Sequence, residues 1–122
     1  MTSTTFFFDT YALFEIIRGN LKYARYQEAV VVTTIFNLAE LNYGLKKETN
    51  QYRANELTSK FSSAVVEVTV EDVEEAMSLK IKNKDLSIPD AIGYTVAKRL
   101  QILFLTGDED FKEMLGVEFV KK

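Results

Sequence analysis

The stretch Thr4-Thr5-Phe6-Phe7-Phe8-Asp9-Thr10-Tyr11-Ala12-Leu13-Phe14-Glu15-Ile16-Ile17 changes its hydrophobic period at Asp9. Before that residue an aromatic, β-branched run suits an extended strand. After it Tyr11, Ala12, Leu13, Ile16 and Ile17 recur at helical spacing until Gly19 and Asn20. A strand that passes into a helix through a single aspartate sets the pattern for the rest of the chain.

The alternation repeats downstream. Residues 30–34 form a second β-branched run, and Ile35, Leu38, Ala39, Leu41, Asn42 and Leu45 then mark an amphipathic helix that carries Glu40. Residues 51–61 read as helix, 64–70 as a third strand, and 71–82 as a charged helix with Val73, Ala76, Met77 and Leu79 inward. Residues 89–100 give another helix, 102–105 a fourth strand, 108–115 a short helix and 117–120 a final edge strand. No repeat or linker interrupts the chain, so residues 1–122 are expected to form one domain. Strands alternating with helices require right-handed crossovers, which predicts an α/β fold: a three-layer sandwich around a mostly parallel central sheet.

The composition agrees and excludes several chemistries. The chain has 122 residues, 47% of them hydrophobic and 27% charged, enough to bury roughly two-thirds of its unfolded surface without disulfide or metal staples. With no Cys and no His, thiolate nucleophiles, Cys/His zinc sites, Ser-His triads and histidine bases are all absent. Any chemistry must run on carboxylates. The apolar runs at 6–8, 29–32 and 102–105 fall far short of the roughly 18 residues of a membrane span. Residues 1–5 show no basic segment leading into a long apolar stretch, so the expectation is a cytoplasmic protein with no membrane role. The net charge of −3 is uneven: residues 1–61 carry seven basic and six acidic side chains, residues 62–122 eight and twelve.

In a parallel open sheet, ligands bind beyond the carboxyl ends of the strands. Asp9 follows the first strand and Asp108 the fourth, in Leu105-Thr106-Gly107-Asp108-Glu109-Asp110-Phe111, so both project from one edge. Each also has a local reason to be there, as an N-cap. Asp90, in Ser87-Ile88-Pro89-Asp90, fits a capping box with Pro at the first helical position. Glu40 borders the apolar stripe of its helix. Carboxylates held within about 4 Å repel by on the order of 4 kcal/mol per pair at an effective dielectric near 20, unless a cation intervenes. Oxygen-only ligation favours Mg²⁺ or Mn²⁺, which points to phosphoryl chemistry.

These residues resemble the PIN domain, specifically the small VapC-type ribonuclease toxins of toxin–antitoxin pairs. The resemblance spans nearly the whole chain and rests on four segments: Phe7-Phe8-Asp9-Thr10, Glu40 in the second helix, Ser87-Ile88-Pro89-Asp90-Ala91-Ile92, and the segment from Leu105 to Phe111. It implies an acidic quartet at Asp9, Glu40, Asp90 and Asp108, with Asp110 as a fifth acid. Asp9, Asp90 and Asp108 would hold one or two Mg²⁺ or Mn²⁺ ions, Glu40 would complete the shell, and the metal-activated water would hydrolyse an RNA phosphodiester. Thr10 and Thr106 would support these carboxylates by hydrogen bonding. An antitoxin protein is the implied partner. Tyr94 departs from the small residue common in the family at its place, which would either narrow the substrate groove or pack in the core.

Setting aside the five acids leaves 13 acidic against 15 basic residues, a balance compatible with RNA. Arg18, Lys22 and Arg25, and Lys46 and Lys47, would contact flanking phosphates or simply solvate helix ends; Lys80, Lys82 and Lys84 read as a solubilising run. Tyr23, Tyr26, Tyr43 and Tyr52 would line a homodimer interface or a groove for an antitoxin peptide. A phosphoacceptor receiver domain shares the α/β pattern, but Val66-Glu67-Val68-Thr69 supplies no phosphoacceptor Asp after the third strand. A PIN-fold processing nuclease outside a toxin–antitoxin pair, or a catalytically silent interaction module, stands as the alternative.

Overall fold

A computed structural model describes residues 4–122; Met1 to Ser3, part of the segment read for a leader, lie outside it. Four strands form one sheet in the order β2-β1-β3-β4: β1 (Thr5–Phe8), β2 (Val30–Val32), β3 (Leu103–Thr106) and β4 (Val117–Phe119). Every pairing is parallel, with Phe7 opposite Val32 and Phe104 and with Leu105 opposite Glu118. The central strand, β1, is covered on both faces, because its side chains alternate. Phe6 and Phe8 enter one core with α1 (Thr10–Arg18), α2 (Ile35–Glu48) and α3 (Gln51–Ser59). Phe7 enters the other, under α4 (Val70–Lys82) and α5 (Ile88–Leu100), where its ring stacks on Phe104 at 5.4 Å. Phe7, Phe8 and Phe104 are completely buried, worth about 1.5–3 kcal/mol each. The result is the expected three-layer α/β sandwich. Among the described residues no helix is long and apolar enough to cross a membrane.

Three local expectations are corrected. Residues 64–70 do not form a strand: only Val65 bridges to Thr33, through Thr33 N–H to the Ala64 carbonyl and Val66 N–H to the Thr33 carbonyl, both at 3.0 Å. The reason is that β2 is three residues long and Thr34 already caps α2, leaving no ladder to extend. Thr69 then caps α4, one residue earlier than the charge pattern suggests. The short helix expected over 108–115 shrinks to a 3₁₀ turn, Glu109–Phe111. The segment Leu21–Glu28, for which the apolar spacing gives no element, is a 3₁₀ helix. It delivers Tyr23 and Tyr26 into the core, with hydroxyls donating to the Val120 carbonyl and to Glu118, both at 2.6 Å. Those two tyrosines are therefore closed to a partner, whereas Tyr43 and Tyr52 are exposed.

Candidate functional site

The chain runs from β1 across to β2 on one side and later returns to β3 on the other, so the strand order reverses between β1 and β3. This is where an open α/β sheet leaves a crevice. Asp9 directly follows β1 and N-caps α1: its Oδ1 accepts the Ala12 N–H at 2.9 Å and its Oδ2 accepts the Thr106 hydroxyl at 2.5 Å. Asp108 lies two residues beyond β3 and caps the 3₁₀ turn by accepting the Asp110 N–H at 3.0 Å. The two strand ends are tied together by Thr106, whose Oγ1 donates to Asp9 and accepts the Asp108 N–H at 3.0 Å. Gly107 between them is required by close packing, since a Cβ there would collide with the Tyr11 ring and the Val120 carbonyl.

Asp90 enters from α5 as the third residue of a capping box, accepting the Ser87 N–H at 3.2 Å while its own N–H donates to Ser87 Oγ at 3.1 Å. Pro89 takes the second helical position, because Ile88 is the first. Glu40 comes from α2 and accepts the Thr10 hydroxyl at 2.7 Å. Thr10 in turn accepts from Asn37 Nδ2 at 3.3 Å, and Asn37 Oδ1 accepts the Thr34 hydroxyl at 2.7 Å. Asn37 is fully buried, and sequence reading did not single it out. The available signal is its place three residues after the cap Thr34, on the same face as Glu40 one turn later.

Asp9, Glu40, Asp90 and Asp108 line one open cavity of about 460 Å³, together with Thr10, Tyr11, Phe14, Tyr43, Gly44, Lys47 and Ser87. Asp110 does not line that cavity, but its carboxyl is raised by burial and by the nearby charges of Asp108 and Asp85. The 3₁₀ turn that Asp108 caps carries it to a neighbouring surface cavity beside Lys82, Lys84 and Asp85. Burial raises the carboxyl of Asp9 to about 8 against the lowering pull of its bonds to Thr106 and Ala12, and the charges of Asp90 and Asp108 add to the rise. Asp90 is raised to about 6, again chiefly by burial, with Glu40 and Asp108 adding. Among the described residues no Lys or Arg forms an ion pair with any of the four. Nor, among the described residues, are any three of these side chains drawn together tightly enough to hold an ion unaided.

The other sequence candidates are spread over the surface. Arg18 is held by Glu15 and Glu48, each at 2.9 Å, and lies over Phe14. Lys22 reaches the Lys121 carbonyl, Arg25 lies over Tyr26, and Lys46 is exposed. Lys47 alone of that set lines the acidic cavity. Lys80 is more than a solubilising charge: it donates to the Leu86 carbonyl at 2.6 Å and pins the loop before α5. Tyr94 packs its ring against Phe104 and Phe111 and donates its hydroxyl to the Leu115 carbonyl, away from the acids.

Comparison with known proteins adds the following. The family model of the PIN domain matches residues 6–116. A Klebsiella pneumoniae chain from a toxin–antitoxin complex superposes with a TM-score of 0.75 at 23% identity, covering 95% of this chain and 98% of its own. The Mycobacterium tuberculosis toxin VapC20, described as cleaving the sarcin–ricin loop, gives 0.75 at 21% identity over 96% and 99%. A chain of DNA-bound VapBC from Salmonella typhimurium gives 0.65 at 19% identity over 97% and 98%. At these identities the likeness is one of fold. No curated protein gives a significant sequence match.

Proposed function

Because the chain belongs to the PIN domain family, we propose that it is a divalent-metal-dependent endoribonuclease and the toxin of a toxin–antitoxin pair. The observation that carries this reading is the set of four carboxylates lining one cavity at the strand-order reversal with, among the described residues, no cationic side chain paired to them. An all-oxygen donor set, two of whose members are raised by burial and mutual repulsion, fits a hard cation that keeps several waters, as Mg²⁺ does, better than a dehydrated chelate. Asp9, Asp90 and Asp108 would hold it, with Glu40 completing the site; Asp110, on the neighbouring surface cavity, is left out of this assignment. When bound, such an ion supplies an activated water and stabilises charge on a phosphodiester.

The chain's own residues do the positioning. Thr106 fixes Asp9 and Asp108 relative to each other across the sheet, and Thr10 holds Glu40 at the cavity. Ser87 fixes Asp90 at the first turn of α5. The toxin role draws support from the named complexes of the Klebsiella and Salmonella neighbours. We assign an antitoxin that covers the acidic cavity as the protein partner, and a second copy of the chain as the dimer mate.

The test is cleavage of a mixed-sequence single-stranded RNA by wild type and Asp9→Asn, with Mg²⁺, with Mn²⁺ and with chelator. Wild type should cut only with metal, and the near-isosteric variant should lose more than about 100-fold, beyond the 10–100-fold typical of residues that merely orient a ligand. Equal cleavage by both proteins, or cleavage in chelator, overturns the assignment.

A further inference from the structure

One face of α2 leads out of the acidic cavity. Glu40, Tyr43, Gly44 and Lys47 stand at positions i, i+3, i+4 and i+7, and all four line it. The helix is packed into the core through Asn37, Leu38, Leu41 and Leu45, so Tyr43 is surplus to its packing and stands 66% exposed. Lys47 Nζ lies 4.6 Å above the Tyr43 ring and, among the described residues, forms no ion pair. Arg18, in the last turn of α1, is by contrast held by two glutamates. Gly44 lets the Phe14 ring lie against the helix, since a Cβ there would meet Phe14 Cζ at 2.5 Å. The outcome is an aromatic shelf, one to two helical turns from Glu40, beside an ammonium that no carboxylate holds among the described residues.

We propose that Tyr43 and Lys47 form a subsite for the nucleotide adjoining the scissile phosphate: its unpaired base stacks on the Tyr43 ring and its phosphate takes the Lys47 ammonium. The inference rests on the nuclease reading above and adds to it the two residues that receive the flanking nucleotide. An aromatic face accepts any base that lies outside a duplex. An exposed cation without a carboxylate partner among the described residues, lining an otherwise acidic cavity, suits a polyanion that must be led past like charge.

The experiment is anisotropy of a fluorescently labelled single-stranded RNA in chelator, run beside cleavage in Mg²⁺, for wild type, Tyr43→Ala, Tyr43→Phe and Lys47→Gln. Both positions are exposed, and thermal melts verify folding. Tyr43→Ala should weaken binding about tenfold, with the cleavage loss carried by KM, and Tyr43→Phe should recover most of it. Lys47→Gln should weaken binding and lower the salt slope by about one. Wild-type cleavage with unchanged RNA binding by Tyr43→Ala and Lys47→Gln overturns the subsite and leaves the exposed ring to a protein partner. Absence of cleavage by wild type, with the binding losses present, defeats the nuclease reading while the RNA subsite stands.

Discussion

Helices α4 and α5 begin with the same device. Thr69 and Asp72 form one capping box, Ser87 and Asp90 the other, each with a reciprocal pair of backbone hydrogen bonds. Their surroundings differ in one respect. Asp72 takes a bidentate grip from Arg99, Nε and Nη2 each at 2.9 Å, which holds its carboxyl below the usual range. Asp90 has Glu40 and Asp108 for charged neighbours and is raised to about 6, chiefly by burial. One local motif thus produces a stabilising anchor in one place and an uncompensated acid in the other. A carboxylate that a fold leaves without a cation, where its twin receives one, is a better mark of function than the motif itself.

The largest expected effect separates the twins by substitution. Asp90→Asn should cost more than about 100-fold in RNA cleavage, while in chelator its melting temperature holds or rises, because a poorly compensated charge has gone. Asp72→Asn should do the reverse, keeping cleavage and losing about 1 kcal/mol through the weakened Arg99 pair, which is half open to solvent. A folded Asp72→Asn protein that no longer cuts would break the comparison.

A smaller effect is set by pH. A folded-state carboxyl raised above its ordinary value binds protons that the unfolded chain has released, so stability falls as pH rises through the interval between the two values. For Asp9 that interval runs from about 4 to about 8, and for Asp90 from about 4 to about 6. In chelator the melting temperature should therefore decline from pH 5 to pH 8, by an amount corresponding to a few kcal/mol at most. Added Mg²⁺ should flatten the decline and help most at the alkaline end. Asp72, lowered, contributes in the opposite sense, its share being lost only as pH falls below the ordinary carboxylate range. A melting temperature that climbs from pH 5 to pH 8 in chelator would contradict this assignment of charge.

The smallest effect concerns Glu40, held by a chain of neutral donors. Asn37→Ala removes the donor behind Thr10 and leaves the Thr34 O–H without its acceptor. It should lower stability by about 1–3 kcal/mol and cleavage by about tenfold, with Thr10→Ser expected to cut far better than Thr10→Val. Cleavage by Asn37→Ala at the wild-type rate in a fully folded protein would reduce that chain to packing.

Much of the architecture was legible because it is written in local periods. The Phe6-Phe7-Phe8 run, followed by helical spacing after Asp9, announces a doubly buried strand and the helix it feeds, and the alternation downstream fixes a parallel α/β sandwich. Where the reading failed, the cause was tertiary. Residues 64–70 have strand composition, yet β2 ends too soon to give them a ladder. Tyr23 and Tyr26 sit in a polar-leaning segment, yet a 3₁₀ helix turns both rings inward.

The sequence by itself excluded histidine and cysteine from any chemistry here, since it contains neither, and determined that two aspartates follow strands able to share one sheet edge. Only the tertiary structure decided the surroundings of each acid: it gave Asp72 an arginine from the next helix and Asp90 none, set Asp110 on an adjoining cavity, and backed Glu40, through Thr10, with a buried Asn37. The physical reason is that caps and periodicity are set by neighbours within four residues, whereas the charge environment of a carboxylate is set by residues 27 apart for Asp72 and Arg99 and 97 apart for Asp9 and Thr106. That proximity exists only once the strands have paired and the helices have packed on them.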